Sequence, residues 1–394
     1  MYRKIIQSAI QFIRTEPVLV ASCVLALVSM TQVPPDSGYA DYINVRVIAI
    51  LAGLMIVMTG LRNHGFFTLC AGRLLSKTRG AVSSAFVLVF LCFFFSMLIT
   101  NDVALITFVP LTIELLGIMN RRDLCVRVVA LQTIASNLGS MLTPVGNPQN
   151  LYLYELMGIS FRQFVGFMAV PAALSAALLI AAVLLSVAAC NGRHHMEDIE
   201  GSTFCGGRTA DDDKPAKITA LYIALFAVNV SAVLNLVPYY IAFAVTAVIC
   251  GIADRKSLKI DYSLLATFAA FFIFIGNVGR IDFVADTLRQ YVEGRELEAG
   301  IVISQFISNV PAAILLSGFT GNFRSLLYGV SAGGLGTLIA SMANLISYKY
   351  IVRDSPSEAG SYIRVFTAAV HVFSGSAVYS YEGYFRFVIN CYER

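Results

Sequence analysis

The sequence has few charged residues, and this shortage decides its class. Aspartate, glutamate, lysine and arginine make up 13% of the 394 residues, whereas 57% are hydrophobic and the mean hydropathy is +0.74. A soluble domain carries roughly 25% charged residues. The composition therefore excludes an ordinary soluble protein and predicts a polytopic membrane protein in a lipid bilayer. The formal net charge of +4 is small and gives no indication of a nucleic-acid partner.

Cys-x-x-Cys pairs and catalytic histidines within the apolar runs are also missing. The eight cysteines are scattered, mostly in apolar runs, and no two form a Cys-x-x-Cys pair. We expect them to be small buried hydrophobic residues rather than disulfides or metal ligands. The four histidines fall mainly in interfaces and loops, so the sequence offers no nucleophile–base pair at membrane depth. It therefore predicts a protein that is not an enzyme and needs no cofactor beyond a coupling ion.

Long apolar runs are present, and some are interrupted in the middle. Residues 143–150 read TPVGNPQN between two apolar runs, and prolines and glycine there disfavour a continuous helix. At membrane depth an irregular backbone is tolerated only where protein or water surrounds it, and transporters use such breaks to bind substrate and ions. Residues 337–344 read TLIASMAN and align with 143–150 without a gap. The sequence therefore indicates an internal repeat, with two halves built in the same way.

The apolar runs predict about nine membrane-spanning helices. A span needs about 20 apolar residues. Seven spans are predicted to be uninterrupted, at 17–33, 43–60, 164–189, 218–236, 239–252, 262–277 and 362–373. Two more, at 124–154 and 325–350, contain the breaks and are predicted to be broken transmembrane helices.

Two other runs have polar residues at their middle and are predicted to be re-entrant hairpins. The first, 81–119, has arginines on both flanks, so it must enter and leave on one side if positive loops stay in the cytoplasm. The second is 299–321. An amphipathic stretch precedes each hairpin, at 62–79 and 280–298, and its pattern favours a helix lying in the membrane interface.

If the span at 218–236 only links the halves, the order of two spans, amphipathic stretch, hairpin, broken helix and span occurs twice with opposite predicted orientation. The first repeat covers 1–190 and the second covers 218–377, with a polar loop at 191–217 between them and a tail at 378–394. Basic residues near the N-terminus place it in the cytoplasm, and the other basic clusters agree with this path. The expected fold is an all-α polytopic membrane protein with an inverted-topology repeat, two re-entrant hairpins and two broken transmembrane helices.

The polar residues at the middle of each hairpin, which we call the hairpin tips, and the two breaks resemble those of the ion transporter superfamily. It includes the divalent anion/sodium symporters, citrate–metal transporters, arsenite permeases and one type of sodium/proton antiporter. Residues 146–150 (GNPQN) and 340–344 (ASMAN) are similar to the GDPPN and GASAN signatures of citrate-transporter-like domains. Symporters of this group carry SNT at both hairpin tips, whereas residues 100–102 read TND and residues 308–310 read SNV. The resemblance implies a homodimeric transporter in the plasma (inner) membrane.

The four interruptions are expected to form one site. Helix N-termini attract anions, and unwound carbonyls with side-chain oxygens suit sodium. The candidate substrate- and ion-binding residues are Thr100, Asn101, Asp102, Thr143, Gly146, Asn147 and Asn150 in the first half, and Ser308, Asn309, Thr337, Ser341 and Asn344 in the second. The candidate sodium ligands are Asn101, Asn147, Asn309 and Asn344. The alternative is that the asparagines and serines only cap helices.

Asp102 is the one acidic residue at a predicted tip. A carboxylate at membrane depth is functional by default, so it would bind sodium or carry a coupled proton; the alternative is an N-cap of the second hairpin arm.

We predict a secondary active transporter of a small anion, either a carboxylate or an inorganic anion, coupled to Na+ or H+ and working by alternating access. An arsenite-type efflux permease and a sodium/proton antiporter of the same fold are the alternatives, and an intramembrane enzyme is a distant one.

Overall fold

The computed structural model describes residues 16–78, 80–191 and 213–373, which form helices and contain no β-strand. Short loops and 3-10 turns join the helices. The helices are α1 Pro17–Met30, α2 Tyr39–Tyr42, α3 Val45–Asn63, α4 Phe66–Leu75, α5 Gly80–Ser96, α6 Asn101–Ile118, α7 Cys125–Ser140, α8 Pro148–Met157, α9 Phe161–Asn191, α10 Asp213–Val233, α11 Tyr239–Ala253, α12 Tyr262–Val278, α13 Asp282–Val292, α14 Glu296–Ile307, α15 Asn309–Ser317, α16 Phe323–Gly333, α17 Met342–Asp354 and α18 359–373.

Every predicted interruption ends a helix. The first tip (97–100) separates α5 from α6, and the second tip (Ser308) separates α14 from α15. The first break (141–147) separates α7 from α8, and the second break (334–341) separates α16 from α17. The two arms of each hairpin, α5 with α6 and α14 with α15, pack against each other. The all-α fold is therefore confirmed, while most of the predicted loop at 191–217 and all of the tail at 378–394 lie outside the described residues.

The helices pack as two groups. In one group α1 lies along α12, and α3 lies along α10 and α11. In the other, α5 lies along α7, α14 along α16, α6 along α17 and α8 along α15. Contacts of α3 with α8 and of α12 with α15 join the groups, and Arg46 Nη1 of α3 lies 3.2 Å from Glu155 Oε1 of α8. All four interruptions belong to the second group.

Small residues let the interrupted helices approach closely, in the same way in both halves. A Cβ at Gly139 would lie 2.6 Å from Ser96 Oγ, and a Cβ at Gly333 would lie 2.8 Å from Ser304 Oγ. No side chain larger than hydrogen fits at either contact without a shift of its neighbours. Small residues at such contacts are typical of membrane helices, because lipid provides no hydrophobic force that presses helices together.

The outer surface suits lipid. By length and composition, four stretches of the described residues are long and apolar enough to cross a membrane: Val45–Asn63, Asn101–Ile118, Phe161–Ser186 and Arg255–Val278. Further apolar stretches are shorter, including α1, α5, α11 and the part Lys217–Val233 of α10. Large apolar side chains point outward, with exposed fractions of 63% at Leu27, 74% at Leu185 and 83% at Ile252. A lipid environment accommodates such side chains, so the fold is that of an integral membrane protein.

The expectation for the cysteines is only partly met. Cys92, Cys125 and Cys250 are buried and free, as predicted. Cys70 is half-buried, and Cys23 is exposed on α1, so the prediction is wrong for Cys23. Because α1 is apolar on its exposed side, a small apolar side chain there is compatible with lipid.

Asp254, directly after α11, joins three helices at one end of the bundle. Its Oδ2 accepts a hydrogen bond from Tyr222 Oη at 2.9 Å and lies 3.1 Å from His64 Nε2, and its Oδ1 accepts from the Lys256 N–H at 3.1 Å. Burial raises the pKa of Asp254, but the hydrogen bonds from Tyr222 and His64 outweigh it, so the pKa lies below its ordinary value. The ionised carboxylate is therefore favoured by folding.

We expect Asp254→Asn to lower the free energy of unfolding at neutral pH by roughly 1–2 kcal/mol, because three donors lose a charged acceptor. A depressed pKa stabilises the fold above the unfolded value of about 3.9, and the stabilisation is lost as pH falls through the lower folded value. The melting temperatures of variant and parent should therefore converge in acid. Asp41→Asn, at an exposed position, is the control, and equal effects of the two substitutions would contradict this role for Asp254.

Candidate functional site

Each hairpin tip is held against the break of its own half by the same main-chain bond. The Asn101 N–H donates to the Gly146 carbonyl at 3.3 Å, and the Asn309 N–H donates to the Ala340 carbonyl at 2.9 Å. Both donors stand at the first residue of a helix, where no carbonyl of the same helix is available. Tip and break in each half therefore lie together.

A threonine at the start of each break makes a second matching contact. The Thr143 hydroxyl donates to the Met97 carbonyl, and the Thr337 hydroxyl donates to the Gln305 carbonyl at 3.2 Å. Both acceptors are at the end of the first hairpin arm, where helical carbonyls lose their partners. The two predicted threonines thus fix the hairpins to the breaks.

The last asparagine of each break fixes the backbone of the break itself. Asn150 Nδ2 donates to the carbonyls of Ser140 and Thr143, both at 3.0 Å. Asn344 Nδ2 does the same to the carbonyls ten and seven positions before it, at 3.0 and 2.9 Å. Both asparagines are fully buried. These bonds set the orientation of each amide, so its Oδ1 atom points away from the break.

The second tip is a strained single residue. Ser308 has φ of 75° and ψ of 155°, a conformation that a residue with a Cβ seldom adopts. Strain of this kind costs about 1–3 kcal/mol and clusters at functional sites, because the surrounding structure has to enforce it. Within the part of the chain that the structure describes, its hydroxyl makes only long contacts of 3.4 Å, to Asn309 Oδ1 and to the Ala340 carbonyl.

Asn137 is a central residue of the site that the sequence did not single out. Its Oδ1 accepts hydrogen bonds from Asn101 Nδ2 and Ser341 Oγ, each at 3.0 Å. Its Nδ2 donates to Asn344 Oδ1 at 2.8 Å. One buried amide on α7 therefore joins the first tip to the second break. The available signal was its position in the last turn of an apolar helix directly before a predicted break.

Gln149 is a second residue that the sequence did not single out. Its side chain is fully buried, and neither Oε1 nor Nε2 has a hydrogen-bond partner within the described part of the chain. Asn147, by contrast, donates from Nδ2 to Ser140 Oγ. The start of α8 thus combines an N-cap amide whose nitrogen is hydrogen-bonded, at Asn147, with an amide without partners among the described residues, at Gln149.

Asp102 lies in the first turn of α6 and is not its N-cap. The helix begins at Asn101, and Thr100 occupies the N-cap position without a capping hydrogen bond from its side chain. The alternative of a capping aspartate is therefore wrong. The Asp102 N–H donates to Asn101 Oδ1 at 2.9 Å, while its own Oδ1 is buried without a hydrogen-bond partner among the described residues. A carboxylate near a helix N-terminus is electrostatically favourable.

The four candidate sodium ligands differ in what their oxygens already bind. Asn344 Oδ1 accepts from Asn137, and Asn101 Oδ1 accepts from the Asp102 N–H. In the described structure Asn147 Oδ1 accepts no hydrogen bond, and Asn309 Oδ1 has only the 3.4 Å contact from Ser308. Amide oxygens suit a hard cation. Among the described residues, the oxygens of Asn101 and Asn344 thus each accept a close hydrogen bond, whereas those of Asn147 and Asn309 do not.

Comparison with known proteins identifies the family. Residues 9–322 match the family described as "Citrate transporter" (CitMHS), a range that includes both tips and the first break. The chain is 32% identical to an uncharacterized transporter of Methanocaldococcus jannaschii over 77% of this chain and 80% of that protein. It is 30% identical to the inner membrane protein YbiR of Escherichia coli over 77% of this chain and 79% of that protein.

A more distant match is local. The chain is 28% identical to the P protein of Mus musculus over 36% of this chain and 18% of that protein. The family match covers more than half of the chain, and it confirms the resemblance to citrate-transporter-like domains. The chain belongs to the citrate transporter family and is a membrane transporter rather than an enzyme.

Proposed function

We propose that this protein is a secondary active transporter that moves a small anion, a carboxylate or an inorganic anion, together with a cation by alternating access. The meeting of two tips and two breaks is the observation that supports this most directly. Four helices, α6, α8, α15 and α17, begin at these interruptions, and none of the interrupting segments contains lysine or arginine. Each helix N-terminus carries about half a positive charge, which favours an anion without a buried basic residue.

The proposal includes an inverted-topology repeat with about nine spans. The main-chain bond from each tip to its break and the glycine–serine contacts recur in both halves, which supports a duplicated unit. The packing of α1 on α12 and of α11 on α3 fits the exchange of equivalent helices between the halves. Opposite orientation and a cytoplasmic N-terminus follow from the basic clusters of the sequence, and a plasma (inner) membrane location follows from the family resemblance. A homodimer follows from the family resemblance.

The membrane potential determines how much free energy the co-transported cations must supply. Moving one charge across 100 mV is worth about 2.3 kcal/mol. Uptake of a divalent anion against an inside-negative potential of that size costs about twice as much, so about three or more monovalent cations must accompany it before the potential helps. Efflux of a monovalent anion, as in an arsenite-type permease, runs down the potential and needs no coupling ion.

Asp102 is the feature that favours a proton in place of sodium. Its Oδ1 is buried and lacks a hydrogen-bond partner among the described residues, and a carboxylate at this depth is functional by default. In a proton-coupled symporter or a sodium/proton antiporter, Asp102 would take up and release the proton. Proton coupling thus requires Asp102 to change its protonation state, whereas sodium coupling does not.

The test is anion flux in proteoliposomes with sodium, proton and potential gradients imposed one at a time. Citrate, succinate, sulfate and arsenite are suitable radiolabelled or assayable anions. We expect one of them to be accumulated and at least one cation gradient to accelerate it. Asp102→Asn should abolish the response to a proton gradient and leave a sodium response. Flux that ignores all three gradients would refute a coupled transporter and favour an uncoupled efflux permease.

A further inference from the structure

The two halves of the site differ at one buried position. Ser331 lies six residues before Thr337, as Asn137 lies six residues before Thr143. α16, which carries Ser331, packs on α8, as α7, which carries Asn137, packs on α17. An asparagine in one half is therefore matched by the shorter serine in the other.

Around Asn137 the polar groups are satisfied. The amide binds Asn101 from the hairpin tip and both Ser341 and Asn344 from the opposite break, and all four side chains are buried. Asn344 Oδ1, which points away from its own break, is satisfied by the Asn137 amide across the interface between the halves. We call this group the closed cluster.

In the other half, the residues that align with these four are Ser331, Asn309 from the second tip, and Asn147 and Asn150 from the first break. We call this group the open cluster. The Asn309 side chain lies beside the end of α16, because a Cβ at Gly334 would be 2.8 Å from Asn309 Nδ2. Within the described residues no hydrogen bond joins the four side chains of the open cluster, and Asn147 turns to Ser140 instead.

Two oxygens of the open cluster are buried without a hydrogen-bond partner in the described part of the chain: Ser331 Oγ and Asn150 Oδ1. The two residues are only 8% and 0% exposed. Native proteins satisfy nearly all such groups. Because both Asn150 amide hydrogens are committed to the carbonyls of Ser140 and Thr143, Asn150 can offer only an oxygen to a ligand.

We propose that Ser331, with Asn147, Asn150 and Asn309, binds one monovalent cation of the size of Na+. The equivalent position in the other half takes none, because the Asn137 amide nitrogen already occupies the place of a cation next to Asn344 Oδ1. Uncharged side-chain oxygens are ligands for a hard cation, and the donor set contains no basic residue that would repel it. The inference rests on the proposed cation coupling and adds that this pair of positions contributes one cation, not two.

The test uses the full-length protein in detergent and measures its melting temperature as NaCl replaces choline chloride at constant ionic strength. A cation that binds only the folded protein raises the melting temperature in a saturable manner. We expect this for the parent protein. Ser331→Asn should remove the Na+-dependent rise while keeping the melting temperature in choline at or above that of the parent, because the new amide replaces the cation.

Three further variants complete the design. Ser331→Ala removes one ligand without filling its place, and the Na+ concentration for half of the shift should rise by about 10-fold or more. Ser76→Asn makes the same change at an exposed helix end and is the control. The exchange variant Asn137→Ser/Ser331→Asn moves the open cluster to the other half and should regain a single-site response.

The outcomes separate this inference from the proposed function. If Na+ stabilises the parent and both Ser331 variants equally, Ser331 is not a ligand, although cation coupling stands. If no Na+ effect is seen while a proton gradient drives flux, the cation site is refuted and the proton version of the transporter remains. If neither cation affects stability or flux, both proposals fail.

Discussion

Gly146→Ala is expected to abolish transport and to destabilise the protein. A Cβ at this position would lie 2.0 Å from the Ser140 carbonyl oxygen and 2.8 Å from its carbonyl carbon. These are backbone atoms, so no side chain can rotate away and the break itself must move. Overpacking a tight site costs about 1–3 kcal/mol. The Gly146 carbonyl also accepts the Asn101 N–H, so the first tip would move with the break.

The matched control for Gly146→Ala is Gly166→Ala on α9, where an added Cβ meets nothing within 4 Å. Alanine there should leave the melting temperature unchanged or raise it slightly, because alanine is the better helix former. Both variants are measured for melting temperature and for initial anion flux at equal protein content. If Gly146→Ala behaves like Gly166→Ala, the break does not need the close approach at Gly146.

The positions of the breaks could be read from the sequence because glycine, proline and asparagine stand inside apolar runs. Their bounds could not, and the reason is the role of proline. Residues 143–150 were predicted to be non-helical, but Pro148 is the first residue of α8. At the first position of a helix an N–H has no acceptor within the helix, so no hydrogen bond is lost when proline lacks it. Proline therefore starts the helix instead of interrupting it. Pro311 lies in the first turn of α15 in the same way, which reduces the second tip to Ser308.

The connections between the halves could not be read from the sequence. Asn137 looks like an isolated polar residue in an apolar helix, and its importance comes from Ser341 and Asn344, which follow about 200 residues later. Local patterns reveal where a helix must end, because the cause lies in neighbouring residues. A hydrogen bond between distant segments depends on packing, which no local pattern contains. The same holds for Gly139, whose neighbour Ser96 belongs to another helix.

The two tip asparagines are expected to respond differently to alanine in stability, although transport should be impaired in both variants. Asn101 donates to Asn137 Oδ1 and accepts from the Asp102 N–H, so Asn101→Ala removes bonds within the closed cluster. A lost buried hydrogen bond costs about 1–2 kcal/mol. The melting temperature of this variant should therefore fall together with its flux.

Asn309→Ala should spare stability and impair transport. The only side-chain hydrogen bond of Asn309 to a described residue is the 3.4 Å contact from Ser308, so the fold loses little. If the amide binds a charged substrate or ion, its loss costs about 1.5–3 kcal/mol. Since 1.4 kcal/mol is a factor of ten, the half-saturating concentration should rise about 10- to 100-fold. Flux against anion and cation concentration, with melting temperature measured on the same preparation, separates the two effects.

A double variant shows whether Asn101 acts through Asn137. If the two share one hydrogen bond, their effects on stability should not add, and the coupling energy in a double-mutant cycle should be about 0.5–3 kcal/mol. The same cycle with Asn309 and Asn137 should give no coupling, because no hydrogen bond between them occurs in the described structure. Full transport by either single tip variant would refute its place in the site. A coupling energy between Asn309 and Asn137 would instead show that the open and closed clusters interact. This result would contradict the proposed difference between the halves.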